Sequence, residues 1–328
     1  MVETRHASQV PDSPTPTSGP GSSGHRSGFV AVVGRPNVGK SALVNRLVGQ
    51  KVAITAAAPQ TTRSRVSGIL TRPDVQIVFV DTPGFHQPQH RLGEWMVDQA
   101  LRAMGDADVV LLVLDAARGV TPEDEQVAAR LPVGRPPVVA VLNKADRAET
   151  GSLKEIKARV LALGEFAGVH AVSAATGANL DRLVDQVVGL LPEGPEYFPP
   201  EMFTDQPQQF LVRELVREQA ISLTRDELPH SIAVEIEEFA ERSPASARGG
   251  PKGASPPLVY IRAVLHVERE AHKKMLIGRD GRMLKAIGQR ARREIEALLG
   301  SRIYLELWVK TTKGWRDRDD LIKAFYPE

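Results

Sequence analysis

Residues 34–41 read Gly34-Arg35-Pro36-Asn37-Val38-Gly39-Lys40-Ser41, a complete G-x-x-x-x-G-K-S loop. No other feature of the chain narrows the possible folds as much. Such a loop works only between a buried strand and a helix, because the helix N-terminus and the loop N–H groups together cradle an anion. Both flanks are present. Phe29-Val30-Ala31-Val32-Val33 is an apolar run of strand length, and Leu43, Val44 and Leu47 give the next segment one apolar helical face. Gly34 and Gly39 permit turns that aim N–H groups at phosphate oxygens, Lys40 is placed to bridge β- and γ-phosphates, and the Ser41 hydroxyl to ligate Mg²⁺.

The pattern continues downstream. Strands are expected over 29–33, 66–70, 76–80, 109–114, 138–142 and 170–172, and helices over 41–48, 94–104, 122–129, 153–163 and 179–190. Near-continuous apolar strands alternating with helices predict an α/β P-loop domain over 28–191, with a mostly parallel sheet covered on both faces. Ligands bind such sheets at the carboxyl ends of the strands.

Two further motifs follow predicted strands. Asp81-Thr82-Pro83-Gly84 puts an acid where Mg²⁺ is held and a backbone N–H, that of Gly84, where the γ-phosphate is sensed. Asn143-Lys144-Ala145-Asp146 supplies a carboxylate, Asp146, that can accept from guanine N1–H and the exocyclic amine. Adenine has no such donor pair, so GTP and GDP are the expected ligands. Asn143 is expected to tie this loop to the phosphate loop, and the Lys144 stem to lie against the base. The Ser173-Ala174 pair is expected to offer a backbone N–H to guanine O6. Between the loop helix and the second strand, Pro59-Gln60-Thr61-Thr62-Arg63 carries two threonines, either of which can complete the Mg²⁺ shell in the GTP state; Thr62 is favoured.

The chain of 328 residues suits about two domains. Residues 1–27 are rich in Ser, Pro, Gly and Thr, lack the apolar centre of a signal peptide, and are expected to form a disordered tail. No apolar run is long enough to cross a bilayer. Cysteine is absent, which excludes disulfides and thiolate-bound metals and fits a cytoplasmic protein. Five prolines (192, 195, 199, 200 and 207) mark 192–207 as a linker.

The remaining segment, 208–328, follows a different grammar. A helix over 208–223 carries Leu211, Leu215 and Ala220 on one face. A strand over 231–239 follows, then a Gly/Pro/Ser/Ala-rich loop at 242–257. A strand (258–267), two helices (271–277 and 283–299) around Gly278-Arg279-Asp280-Gly281, a strand (302–309) and a closing helix (316–325) complete the chain. Residues 273–293 hold eight basic side chains against the single acid Asp280, a local +7 in a chain whose net charge is +2. Lys273, Lys274, Arg279, Arg282 and Lys285 lead this cluster, and Met275, Leu276, Ile277, Leu284, Ile287 and Ile295 are expected to pack the helices behind it. Glycines at both ends of a short loop let a sugar–phosphate backbone approach closely, and the surrounding charge attracts it. The element order and Gly-x-x-Gly loop resemble a KH domain, which implies single-stranded RNA as the ligand. Trp308 is expected to pack, with base stacking open to Trp308 and Trp315. His86, His90 and His266 have no partners at metal spacing.

The phosphate loop with its Arg-Pro-Asn, the Gln-Thr-Thr-Arg segment, Asp-Thr-Pro-Gly, Asn-Lys-x-Asp and the KH-type helix–loop–helix together resemble the Era-like family of bacterial, translation-factor-related GTPases. The likeness runs from about Gly28 to the C-terminus. It implies slow GTP hydrolysis, a type II KH domain, binding to the 3′ end of small-subunit (16S) rRNA, a role in 30S subunit assembly, a monomer, and loose peripheral association with the inner face of the cell membrane. Ras-like GTPases place a water-orienting glutamine just after the Asp-x-x-Gly motif, where this chain has Phe85. Asn37 is then a candidate to hold K⁺ near the phosphates, or else only stabilises the loop turn. Two other readings stay open: an RNA chaperone in which GTP is an ordering ligand, and a membrane-surface regulator.

Overall fold

The structure, a computed structural model, describes residues 24–56, 58, 60–149, 151–242 and 258–327. The proposed tail, up to residue 23, and the 243–257 loop lie outside the described residues. Six strands form the first sheet: β1 (Arg26–Val33), β2 (Val66–Arg72), β3 (Val75–Asp81), β4 (Val109–Asp115), β5 (Val138–Asn143) and β6 (Gly168–Ala171), in the order β2-β3-β1-β4-β5-β6. All pair in parallel except β2 with β3, which form a hairpin closed by Pro73-Asp74. β1 begins earlier than expected, at Arg26, and Ser27 is fully buried within it.

Helices α1 (Lys40–Val48), α2 (Arg91–Gly105), α3 (Pro122–Ala128), α4 (Ser152–Leu161) and α5 (Leu180–Leu190) cover this sheet. Its strands read as continuous apolar runs because both faces are buried. Val30 and Val32 pack with α1 and α5 residues such as Leu43 and Leu183, while Ala31 and Val33 join the opposite core with Ala100, Met104 and Val160. Pro122 at the first helical position and a reciprocal Thr121–Asp124 capping box set the start of α3.

The second sheet has the order β7-β8-β9, with β7 (Ala233–Arg242) antiparallel to β8 (Leu258–Val267) and β8 parallel to β9 (Ile303–Thr311). One face packs against α6 (Gln208–Ser222), α8 (Glu270–Ile277) and α9 (Arg282–Leu299), with α7 (Leu228–Ser231) preceding β7. The expected strand at 231 starts late because Pro229 opens a helical turn, closed by the Ser231 hydroxyl on the Leu228 carbonyl (3.0 Å). The closing helix is likewise split into a single turn at Trp315–Asp317 and α10 (Asp319–Phe325), separated by Arg318 in extended conformation.

α6 departs most from expectation. Its apolar face is core, as Leu211, Leu215 and Ala220 imply, but eleven of its fifteen residues are buried, including Arg213, Glu214, Arg217 and Glu218. The polar face meets the first domain rather than solvent. Beside it Trp315, Ile322, Phe325 and Tyr326 pack with Leu92 and Met96 of α2 in a small core shared by both domains. Trp315 is fully buried there, with its indole N–H on the Ser231 carbonyl at 3.0 Å, so it is not a base-stacking ring. Among the described residues no helix is long and apolar enough to cross a membrane.

Candidate nucleotide site and RNA-facing groove

The loop between β1 and α1 opens onto a cavity of about 390 Å³, lined among others by Asn37, Lys40, Ser41, Thr55, Thr62, Gly84 and Lys144. The second glycine of the loop is required by geometry: Gly39 has φ 94°, and a Cβ there would sit 2.4 Å from Asn143 Nδ2. Lys40 is buried, and its ammonium donates to the carbonyls of Gly34 (3.0 Å) and Arg35 (3.1 Å). Burial lowers its pKa from 10.5 to about 8, against the opposing pull of Asp81.

Three oxygens meet beside Lys40 from three separate elements. Ser41 Oγ donates to Asp81 Oδ2 at 2.6 Å and lies 2.8 Å from Thr62 Oγ1, which itself donates to Asp81 Oδ2 at 3.1 Å. Asp81 is fully buried and its Oδ1 has no hydrogen-bond partner. Burial raises the Asp81 pKa, against Lys40 and the two hydroxyls. Two hydroxyls and a carboxylate with a free buried oxygen are a donor set suited to a hard cation such as Mg²⁺. The two adjacent threonines part company: Thr61 Oγ1 donates instead to the Ala58 carbonyl at 2.7 Å. Thr82 Oγ1 is turned inward onto the Val32 carbonyl at 2.8 Å, joining β3 to β1.

Asn143 ties three segments together. Its Nδ2 donates to the Val38 carbonyl (2.9 Å), and its Oδ1 accepts from Ala174 N (3.0 Å). The Ser173-Ala174 amides, one of which is expected to meet guanine O6, both have protein partners here. Ala174 N is held by Asn143, and Ser173 N bonds the Ala178 carbonyl (3.2 Å), so neither amide is free in this structure. Asp146 follows Ala145 on an exposed single turn, with Arg147 3.8 Å away.

Phe85, the residue after Asp81-Thr82-Pro83-Gly84 and expected with them to line the nucleotide site, stands behind it. Its ring is buried among Ala31, Val33 and Ala100, and its N–H is taken by the Gly34 carbonyl at 3.1 Å. Asn37 is exposed with φ 65°, and its carbonyl accepts from Lys144 Nζ at 2.7 Å.

Three contributors were missed from the sequence. Asp115, buried at the end of β4, holds Lys144 Nζ at 2.6 Å. Asp124 accepts from Arg35 Nε at 3.2 Å and so pins the phosphate loop to the cap of α3. Arg63 reaches out of the first domain altogether. The position of Asp115 at a strand end is a signal that was there to read; the partners of Asp124 and Arg63 lie 89 or more residues away and leave no local trace.

The basic cluster frames a second concavity, about 460 Å³, between α9 and β9, lined by Gly281, Leu284, Lys285, Gly288, Arg292 and Leu305 among others. Gly278 has φ 72°, and a Cβ there would lie 2.7 Å from Met283 Cβ, so the turn admits only glycine without displacement. The side chains of Arg279 and Arg282 are 90% and 79% exposed, while Asp280, in left-handed conformation, lies 4.0 and 3.8 Å from them. Lys274 and Lys285 are exposed and Lys273 half-buried. The result is a small apolar floor with a basic rim, which matches a nucleic acid strand that lays bases down and phosphates up.

Two packing expectations fail here. Met275 is 55% exposed, because Leu276 and not Met275 faces the core. Trp308 is 57% exposed: on β9 the inward positions are Leu305, Leu307 and Val309, so Trp308 points to the opposite face, its indole N–H on Glu306 at 2.8 Å.

The 50S ribosome-binding GTPase family profile matches residues 29–144, and the KH domain profile matches residues 227–316. GTPase Era of Geotalea daltonii is 46% identical over 299 residues, and that of Halothermothrix orenii 44% over 299; each alignment spans 91% of this chain and 97% of the relative. A crystal structure of Era in complex with MgGDPNP and nucleotides 1506–1542 of 16S ribosomal RNA superposes with a TM-score of 0.85 at 40% identity, covering 92% of this chain and 98% of that one. A point variant of Aquifex aeolicus Era bound to GDP·AlF₄⁻ gives 0.84, also at 40% identity and with the same coverage. Two domains in this order, carrying this loop geometry and this degree of identity over almost the whole length, establish that the chain belongs to the Era family of GTPases.

Proposed function

We propose that this GTPase binds the single-stranded 3′ end of small-subunit rRNA in the α9–β9 groove, acts in assembly of the 30S subunit, and lets its nucleotide state govern that contact. The observation that carries the reading is the pairing, in one chain, of a buried hydroxyl–carboxylate cluster (Ser41, Thr62, Asp81) beside Lys40 with an exposed basic groove around Gly278–Gly281. The relative solved with MgGDPNP and 16S nucleotides supports the same combination.

In this reading each residue has a chemical task. Lys40, charged when phosphates surround it, leaves the Gly34 and Arg35 carbonyls for the β- and γ-phosphate oxygens. Ser41 and Thr62 would ligate Mg²⁺, and Asp81 would hold it directly or through water. When bound, that ion neutralises charge developing on the phosphate oxygens. Gly84 N–H contacts the γ-phosphate. Asp146 recognises guanine, with Lys144 fixed against it by Asp115 and the Asn37 carbonyl. Phe85 has no group to orient water and is turned into the core, so intrinsic hydrolysis is slow. Asn37, exposed at the loop, is the residue that would hold K⁺ and supply positive charge there. Lys273, Lys274, Arg279, Arg282 and Lys285 contact RNA phosphates. The chain acts as a cytoplasmic monomer with loose association at the membrane surface.

Crosslinking a labelled 3′-terminal 16S oligonucleotide to the full chain, with GDP and with a non-hydrolysable GTP analogue, tests the proposal. Nucleotide-dependent crosslinks within residues 273–293 are expected. Equal labelling in both states sinks the coupling, and labelling elsewhere sinks the groove. GTPase rates in potassium and in sodium test Asn37: equal rates remove the cation role.

A further inference from the structure

Thr62 reaches Ser41 and Asp81 from a stretch whose residues Lys51, Thr55, Thr61 and Arg63 are each held by the other domain. On its N-terminal side, Glu218 of α6 accepts from Thr55 N (2.8 Å) and from Lys51 Nζ (2.5 Å). On its C-terminal side, the neighbouring Arg217 donates through Nη2 to the Thr61 carbonyl. The next residue but one, Arg63, is buried with its guanidinium on the Ile232 carbonyl (2.7 Å), the Tyr326 hydroxyl (2.7 Å) and the His230 carbonyl (2.9 Å). Arg217 is itself fully buried and fixed by Glu214 through Nε (3.2 Å) and Nη2 (2.5 Å). Two consecutive residues of one helix thus grip the backbone at two points leading into Thr62, at Thr55 and at the Thr61 carbonyl, while the Arg63 side chain anchors the residue after it.

We infer that Arg217 and Glu218, on the RNA-binding side of the molecule, are positioning residues for the GTPase site: they hold the Thr61–Thr62 peptide unit and, at Thr55, the backbone leading to it, so that the Thr62 hydroxyl meets Ser41 and Asp81. The inference rests on the proposed role of Thr62 toward Mg²⁺. It gives a physical reason for a helix buried all round, since the polar face of α6 serves the other domain's loop. The grip also reaches the groove helix. Lys51 Nζ bonds Glu294 of α9 at 2.5 Å, and Glu294 accepts from Gln219 at 2.8 Å. Lys285, Gly288 and Arg292 of that same helix line the groove.

The test uses the full chain with three substitutions: Arg217→Met, which keeps bulk and removes the donor, Glu218→Ala, and Thr62→Ala. Hydrogen exchange of the amides in residues 55–63 is measured with the GTP analogue and Mg²⁺, alongside the Mg²⁺ concentration that half-saturates analogue binding. Loss of one charge-assisted bond corresponds to about tenfold, so Arg217→Met and Glu218→Ala should each speed exchange and raise the Mg²⁺ requirement by about that factor, while GDP binding in EDTA stays as in wild type. Arg217→Lys, retaining one donor, should restore part of both. Glu218 contacts only Lys51 and Thr55 among the described hydrogen bonds, so Glu218→Ala remains decisive if Arg217→Met does not fold. Wild-type exchange and Mg²⁺ dependence in Glu218→Ala overturn the inference. An unchanged Mg²⁺ requirement in Thr62→Ala overturns instead the Thr62 assignment on which it stands.

Discussion

The nucleotide site and the proposed RNA groove are both built on a loop ahead of a helix, yet they are made in opposite ways. At the first, Lys40, Asp81 and Asn143 are buried and Ser41 half-buried, and each is already engaged: Lys40 by its own loop, the others by partners from separate elements. At the second, Arg279, Arg282 and Lys285 stand in solvent. A buried polar cluster fails as a unit when one member is lost, because the survivors keep their desolvation cost without their partners. An exposed basic rim loses one charge at a time, screened by salt. The contrast suits the ligands: one small molecule that must be identified atom by atom, and one long polyanion that must be held and released.

Four measurements break or sharpen this contrast. Lys40→Ala should lower GTP affinity most, by at least about 2–5 kcal/mol for a buried charged contact, with oligonucleotide affinity unchanged; calorimetry of both ligands checks it. pH comes next. The free Lys40 loses its proton near 8 rather than 10.5, whereas phosphates favour the charged form. Above pH 8 binding therefore takes up a proton, and affinity falls by up to about tenfold per pH unit. Calorimetry in two buffers of different ionisation heat reads the uptake directly; none at pH 8.5 sinks the assignment.

Gly278→Ala, strained by its positive φ and by Met283, should weaken single-stranded RNA binding by about 1–2 kcal/mol, measured by fluorescence anisotropy, and leave GTP binding intact. The smallest effect is expected of Lys285→Ala. RNA affinity should fall a few-fold, with the slope of log affinity against log salt reduced by about one. A Lys285→Ala loss as large as that of Lys40→Ala would erase the contrast between the two surfaces.

Much of the first domain was readable before the structure, because its elements are specified locally. An apolar run such as 109–114 can be satisfied only by burial on both faces, and the observed β4 differs by one residue. The phosphate loop, Asp-Thr-Pro-Gly and Asn-Lys-x-Asp each end a strand, which the apolar run before them announces. Failures cluster where orientation depends on a distant partner. Trp308 and Trp315 are seven residues apart and equally apolar, yet one is exposed and the other fully buried, because strand alternation turns the first outward and the interdomain core swallows the second. Arg63 and Arg217 are fully buried. Nothing near them in the chain announces that their carbonyl partners lie 169 and 156 residues away.

Order and chemistry of the motifs were thus set by the linear chain: a glycine loop, a lysine and a hydroxyl in eight consecutive positions after a buried strand leave the backbone little choice, and the carboxylate expected to recognise guanine was named by its motif. Which threonine meets Asp81, where Phe85 turns, and that α6 is clasped to the loop carrying Thr62 were decided only on folding. Those outcomes depend on short contacts between segments far apart in sequence, and such contacts acquire their geometry, and their low-dielectric strength, when the two domains close around them.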